Sequence, residues 1–236
     1  DGSVSKLSKR HGATSFEDLM ADGYLPEAVT NYIALLGWCP KDNKEMFTLE
    51  GLTESFSIDG ISKSPAVFDY DKLTWFNGEY IRRKSPEEFL QLAKPYFRQA
   101  FPDTEAPYPK LVEILQPRVT RLTQIPEMIG FFQKLPGYEK ELFINKKSKT
   151  NLENSKEVLE DTIALLEALP NWNHDGIHDC LIQYAQEKGL KNGTVMWPVR
   201  IAAAGQLVTP GGAIEILEIL GREESLRRLR LGLAKL

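Results

Sequence analysis

The sequence predicts a mainly α protein made of small helical bundles, and three observations predict it. Helix start and stop signals recur along most of the chain. No stretch sustains the two-residue alternation of a half-buried strand, and no Asn-Gly pair sits between strand-like runs. No internal repeat of fixed period is present. Hydrophobic residues make up 42% of the 236, enough for packed cores.

Ser15-Phe16-Glu17-Asp18 has the form of a capping box, in which a side-chain oxygen accepts from a free first-turn N–H. The helix it opens should stop at Gly23. Pro26 suits a first helical position, and Ala28 to Leu36 run to a second stop at Gly37. A short helix is expected after Thr48. Asp69 can cap a helix whose Leu73, Phe76 and Tyr80 share one side. Ser85-Pro86-Glu87-Glu88 is the cleanest start signal, with Ser as cap, Pro next and Glu three residues on. Phe89, Leu92, Tyr96 and Phe97 follow on one face, and a domain boundary is expected just before Pro86.

Pro102 to Pro109 reads as a loop. Leu111 to Leu115 begins a helix that Pro117 must kink or restart, and Pro126 opens the next. Gly137 to Lys149 is polar and lysine-rich, and reads as a junction. Thr150-Asn151-Leu152-Glu153 caps a long helix carrying Leu152, Leu159, Ile163, Leu166 and Leu169, ended by Pro170. Ile177, Cys180, Leu181 and Tyr184 form the stripe of another, closed by Gly189. Thr209-Pro210 is expected to open a helix ending at Gly221, and Leu226, Leu229 and Leu233 mark the last.

Net charge is -4 and the isoelectric point is near 5.6. A generic electrostatic nucleic-acid binder would be basic, so any RNA site must come from local patches. Three are visible: Lys6, Lys9, Arg10 and His11; Lys146, Lys147 and Lys149; and Arg222, Arg227, Arg228, Arg230 and Lys235. By default such runs are solvated faces. No apolar run approaches a membrane span and no secretory signal is present. Cys39 and Cys180 form no ladder of spacings, so free thiols in a reducing cytosol are expected.

The most informative stretch is Lys6-Leu7-Ser8-Lys9-Arg10-His11-Gly12-Ala13. Two lysines three apart, flanked by Gly2 and Gly12, could stabilise charge developing on the phosphates of a nucleotide. Spacing alone is weak support, because Lys-x-x-Lys is common in solvated loops. His174 and His178 have the spacing to share a metal on a helix, but no fourth ligand is evident, and solvated histidines are the default. Asp69 reads as a cap, and Asp175 with Asp179 as a solvated face. Trp38, Trp75, Trp172 and Trp197 could stack on bases, although most fall on apolar stripes or beside prolines, which favours core packing.

The longer text around the lysines resembles the lysine-rich signature of class I aminoacyl-tRNA synthetases, in the form used by the bacterial-type glutamyl-tRNA synthetase family. So do Gly23 to Ala28, Asn31-Tyr32, Leu35 to Trp38, Ser62 to Asp69, and Leu73-Thr74-Trp75-Phe76-Asn77. Pro198-Val199-Arg200-Ile201-Ala202, Thr209-Pro210-Gly211 and Leu220-Gly221-Arg222-Glu223 are similar to the terminal domain of that family. The resemblance runs through the whole chain in order, strongest over 1–85 and 190–232 and loosest over 86–150.

The resemblance implies a stem-contact domain over 1–85 and two helical anticodon-binding domains over 86–148 and 149–236. It implies that Lys9 contacts ATP, with Lys6 and Ser8 as supporting members of the loop. It implies that Arg200 contacts the anticodon, with Thr209, Pro210 and Gly211 in a nearby loop and Arg121 as selector of the third base. Gly212 departs from the pattern, in which a larger apolar residue follows Pro-Gly. Arginine suits base reading because its planar fork donates two hydrogen bonds to one unstacked base edge. The implied partner is tRNA-Glu; whether tRNA-Gln is also accepted turns on the residue facing the third anticodon base. The full enzyme would use ATP and magnesium, and would be cytoplasmic and monomeric. The histidines, His11, His174 and His178, do not make the His-x-Gly-His motif of class I chemistry, and the chain begins at Asp1-Gly2 without Met. It therefore reads as a C-terminal piece with no cofactor or metal of its own, inactive in glutamate-dependent ATP–pyrophosphate exchange. The rival readings are a helical protein-interaction module without tRNA specificity, and a glutaminyl-type relative. The all-helical C-terminus disfavours the second, because a glutaminyl enzyme should carry β-barrels there.

Overall fold

Side-chain caps set half of the described helix starts. In the computed structural model, which describes residues 15–64, 66–102 and 106–236, twelve α-helices follow one another with no β-strand among the described residues. Isolated bridges join Trp38 to Ile61 and Asn145 to Thr150. Lys6, Ser8 and Lys9 lie outside the described residues. No described helix is long and apolar enough to cross a membrane.

The chain divides into two compact units. One holds Asp1–Tyr96 with Gln116–Ile125, and the other Phe97–Leu115 with Pro126–Leu236. In the first, α1 (Phe16–Ala21) starts at the expected capping box, with Ser15 and Asp18 each accepting from the other's N–H. Gly23 then takes a φ of 86°, where the chain passes so close to Leu122 and Thr123 that an added Cβ would stand 2.7 Å from Thr123 N. Next come α2 (Pro26–Gly37), α3 (Leu49–Ser55, capped by Thr48) and α4 (Tyr70–Arg83, capped by Asp69). Helices α2 and α4 pack together through Val29, Tyr32, Leu73, Phe76 and Ile81, all buried.

Two buried amides tie the loops of this unit to its helices. Asn77 accepts from Leu25 N at 2.7 Å and donates to Thr120 O at 2.6 Å. Asn31 accepts from Phe47 N at 2.7 Å and from the Tyr80 hydroxyl at 2.8 Å. Each group finds a protein partner in place of the water it loses.

The start of α5 (Pro86–Ala100) has the Ser85–Glu88 box in both directions. Its Phe89, Ala93 and Phe97 stripe is buried, and Pro95 sits inside the helix without ending it. The expected loop over 102–109 overlaps the start of α6 (Tyr108–Leu115). Pro117 stops this helix instead of kinking it, and the next regular turn is a short 3₁₀ segment at Leu122–Gln124.

The second unit contains α6, then α7 (Ile125–Gln133), α8 (Leu152–Glu167), α9 (His174–Glu187), α10 (Asn192–Ala204), α11 (Ala213–Leu220) and α12 (Arg222–Leu233). Helix α10 is central, packing on α8, α9, α11 and α12. The sequence reading places no helix there. Pro198 interrupts the stop-and-start punctuation, yet it is accommodated inside α10 and is buried.

Three expectations need correction. The stretch 137–149 is packed structure: Tyr138 and Phe143 are buried, Lys140–Phe143 forms a 3₁₀ turn, and Asn145 pairs with Thr150. Its polar side chains face water while its aromatics fill the core. The arginine run of α12 is not wholly a solvated face, because Arg228 has 0% exposure. Among the tryptophans, Trp38 alone is in the core; Trp75 is 47% exposed, and Trp172 and Trp197 are half-buried. Long amphipathic side chains bury their bodies and keep their polar tips near water or a carbonyl, so their identity does not fix their depth.

Candidate RNA-contact site

Helix α10 and the loop after it place the arginine singled out by the sequence. Gly205, at φ 66°, ends α10 in the left-handed conformation and turns the chain back along it. Arg200, one turn earlier, donates from Nη1 to Leu207 O at 3.0 Å and to Thr209 Oγ1 at 2.9 Å. The Thr209 hydroxyl in turn donates to Gly211 O at 2.7 Å. The structure therefore brings Arg200, Thr209 and Gly211 into one hydrogen-bonded chain, with Pro210 buried between the last two.

The other side of the guanidinium faces an indole. Arg200 Cζ lies 4.7 Å from the centroid of the Trp197 ring. Trp197 donates from Nε1 to Leu142 O at 2.9 Å, so the ring is itself pinned to the folded 140–143 turn. Burial lowers the Arg200 pKa from its ordinary value. Among the described residues, Nε and Nη2 of Arg200 have no protein partner. Beside them the loop exposes Leu207 and Val208, the latter 83% exposed. An unengaged guanidinium edge next to exposed apolar side chains can take a planar ring with hydrogen-bond acceptors on its rim.

Helix α11 begins later than the sequence suggests. Thr209-Pro210 was expected to open it, but the first helical residue is Ala213. Gly212 is the cap, and its N–H donates to Glu215 Oε2 at 2.9 Å. The Thr209 hydroxyl is engaged by Arg200 and Gly211, so it caps nothing. Glu215 occupies the first turn of α11, where its charge suits the helix dipole.

Arg121 stands in the other compact unit. It precedes the Leu122–Gln124 turn, its Nη1 lies 3.8 Å from Asp22 Oδ2, and its Cζ lies 5.9 Å from the Tyr24 ring. Gln124 Oε1 accepts from the N–H groups of Thr120 and Arg121. His174 is exposed and His178 half-buried, with their rings 6.2 Å apart, and among the described residues no group of three or more metal-ligating side chains occurs.

Trp197 is weighed from sequence as a stacking residue and set down as core, but the structure places it half-buried against Arg200. Its position three before Arg200 on a helix is a readable signal, because side chains at that spacing share a face. The adjacent Pro198 drew it into a core-packing reading instead.

The comparisons with known proteins fit this geometry. The family described as the anticodon binding domain matches residues 88–233, and the family described as tRNA synthetases class I (E and Q), catalytic domain, matches residues 2–75. A glutamate–tRNA ligase of Clostridium tetani is 49% identical over 234 residues, covering 99% of this chain and 48% of that protein. One from Clostridium novyi is 48% identical over 235 residues, covering 98% of this chain and 48% of that protein. The crystal structure of a glutamate tRNA ligase from Elizabethkingia meningosepticum in complex with its amino acid superposes with a TM-score of 0.83 at 26% identity, covering 99% of this chain and 49% of that one. The chain spans about half the length of the curated relatives it matches. With the match running from α5 to Leu233, the chain belongs to the anticodon-binding-domain family.

Proposed function

We propose that this chain is the tRNA-binding portion of a glutamate–tRNA ligase and that it recognises tRNA-Glu for ATP-dependent glutamylation by the longer protein. The observation that carries this is Arg200, held by Thr209 and Trp197 with two donor atoms unengaged, inside the region matched by the anticodon-binding family. In this reading Arg200 donates to one anticodon base, while Thr209, Pro210 and Gly211 shape the loop around it. Arg121 serves the third anticodon base. Residues 1–85 contact the stem, and 86–148 and 149–236 are the two anticodon-binding subdomains. Lys6, Ser8 and Lys9 belong to a nucleotide site, with Lys9 on ATP and magnesium supplied alongside it. The setting is cytoplasmic and the protein is a monomer.

Gel-shift titration against tRNA-Glu and an unrelated tRNA at moderate salt tests the reading. A clear preference for tRNA-Glu is expected. Equal affinity for both would favour a helical protein-interaction module instead. The chain alone is expected to show no glutamate-dependent ATP–pyrophosphate exchange, and detectable exchange in a clean preparation would overturn that part.

A further inference from the structure

We infer that Trp197 is a positioning residue for Arg200 and a determinant of how sharply the site discriminates one anticodon base from another. This rests on the reading of Arg200 as an anticodon contact. An arginine side chain has many rotamers, and a guanidinium that wanders among them reaches phosphates as readily as base edges. Base reading needs the planar fork held in one orientation. Here three contacts hold it. Leu207 O and Thr209 Oγ1 take the two protons of Nη1, and the indole of Trp197 lies against the guanidinium at 4.7 Å. The edge formed by Nε and Nη2 is left as the pair of donors.

The indole can serve as a fixed wall because it is anchored. Its Nε1 donates to Leu142 O at 2.9 Å, and Leu142 lies in a turn whose Phe143 is fully buried. A second pairing in the same unit shows the contrast. Arg222 Cζ lies 5.6 Å from the Trp172 ring, whose Nε1 donates to Leu217 O at 3.0 Å, but Arg222 directs Nη2 to the carbonyls of Leu169 and Pro170. That arginine closes the end of α8 and the turn after it. At Arg200 the same kind of ring leaves a donor edge unengaged.

Removing the ring should release the guanidinium without removing its charge. General attraction to RNA would survive, while discrimination between bases would fall. The test measures the dissociation constant of the whole chain for tRNA-Glu and for the same tRNA with a substituted anticodon, and takes the ratio. Trp197→Leu should lower that ratio about tenfold, toward the value for Arg200→Ala. Affinity for the substituted tRNA should stay within about twofold. Trp197→Phe keeps a π face and should retain most of the ratio. Trp197→Leu combined with Arg200→Ala should be no worse than Arg200→Ala alone, as expected for residues acting as one unit. Trp197→Met, a softer filling, takes the place of the leucine variant if that does not fold. If Arg200→Ala lowers the ratio and the leucine or methionine variant does not, the inference fails while the anticodon reading stands. If Arg200→Ala leaves the ratio unchanged, the anticodon reading fails and this inference with it.

Discussion

Arg228 Nε stands 2.6 Å from Glu224 Oε1, and the guanidinium of this pair has no exposed surface. Its Nη atoms donate to Phe131 O, Phe132 O and Ala203 O at 2.7–2.9 Å. These carbonyls belong to the last turns of α7 and α10, which have no partners within their own helices. One side chain of α12 therefore caps two other helices, placing its positive charge at the negative end of each. Arg228→Met keeps most of the volume but leaves three buried carbonyls without a donor. It should cost about 2–4 kcal/mol in urea unfolding. A methionine variant as stable as the parent would show that these carbonyls do not depend on Arg228.

The same pair predicts acid sensitivity. Hydrogen bonds from Arg227 first, and then from Arg228, hold the Glu224 carboxyl down at about 2, against an ordinary value of 4.5. A folded-state pKa below the unfolded one means stability that is fully present above pH 4.5 and lost as pH falls toward 2. Glu224→Gln should flatten the pH dependence of unfolding in that window. An unchanged slope in a urea series across those pH values would remove Glu224 as its source.

Arg200→Ala should weaken anticodon-dependent tRNA binding by about 1–3 kcal/mol, the scale of one good base contact. The loss should be read as a change in the ratio between tRNA-Glu and an anticodon-substituted form. A uniform loss on both would mark Arg200 as a backbone contact instead.

Asn77 has 0% exposure and holds the 23–25 turn to the segment ending at Thr120. Asn77→Ala leaves a buried N–H and a buried carbonyl unmatched, and should cost about 2–4 kcal/mol. Chemical denaturation followed by a probe in the first unit would measure it. A cost under about 0.5 kcal/mol, the level of an ordinary surface change, would contradict this role.

The two thiols should differ in reactivity. Cys39 is exposed, whereas Cys180 is half-buried and burial raises its pKa. Labelling with an aromatic disulfide at neutral pH should therefore show a fast and a slow phase, and Cys39→Ser should abolish the fast one. Equal rates for both would refute the assignment.

Local signals made much of the fold legible. The boxes at Ser15–Asp18 and Ser85–Glu88 and the caps at Thr48 and Asp69 depend on residues within one turn of each other, so adjacency in sequence suffices to read them. What could not be read depends on distant partners. Arg228 looks like one charge among five until Phe131 and Ala203 are placed beside it. Thr209 looks like a helix cap until Arg200 claims its oxygen. Pro198 hides α10 in the sequence, because proline reads as a helix breaker, yet here it lies buried inside the helix. In the candidate site, the resemblance names Arg200, Thr209 and Gly211 together and the structure joins them by hydrogen bonds, whereas the indole against Arg200 reads from sequence as core.

The position of Arg228 in the chain also has a consequence in time. Its acceptors at 131 and 132 are synthesised 96–97 residues before it, and Ala203 is 25 residues before. At typical elongation rates, roughly 5–20 s pass between making the α7 carbonyls and making the group that caps them. During that interval the end of α7, joined in the last 25 residues by that of α10, stays open to water or to other donors. The second unit can therefore close only once α12 has been translated, so vectorial synthesis imposes an order in which its final helix acts as the clasp.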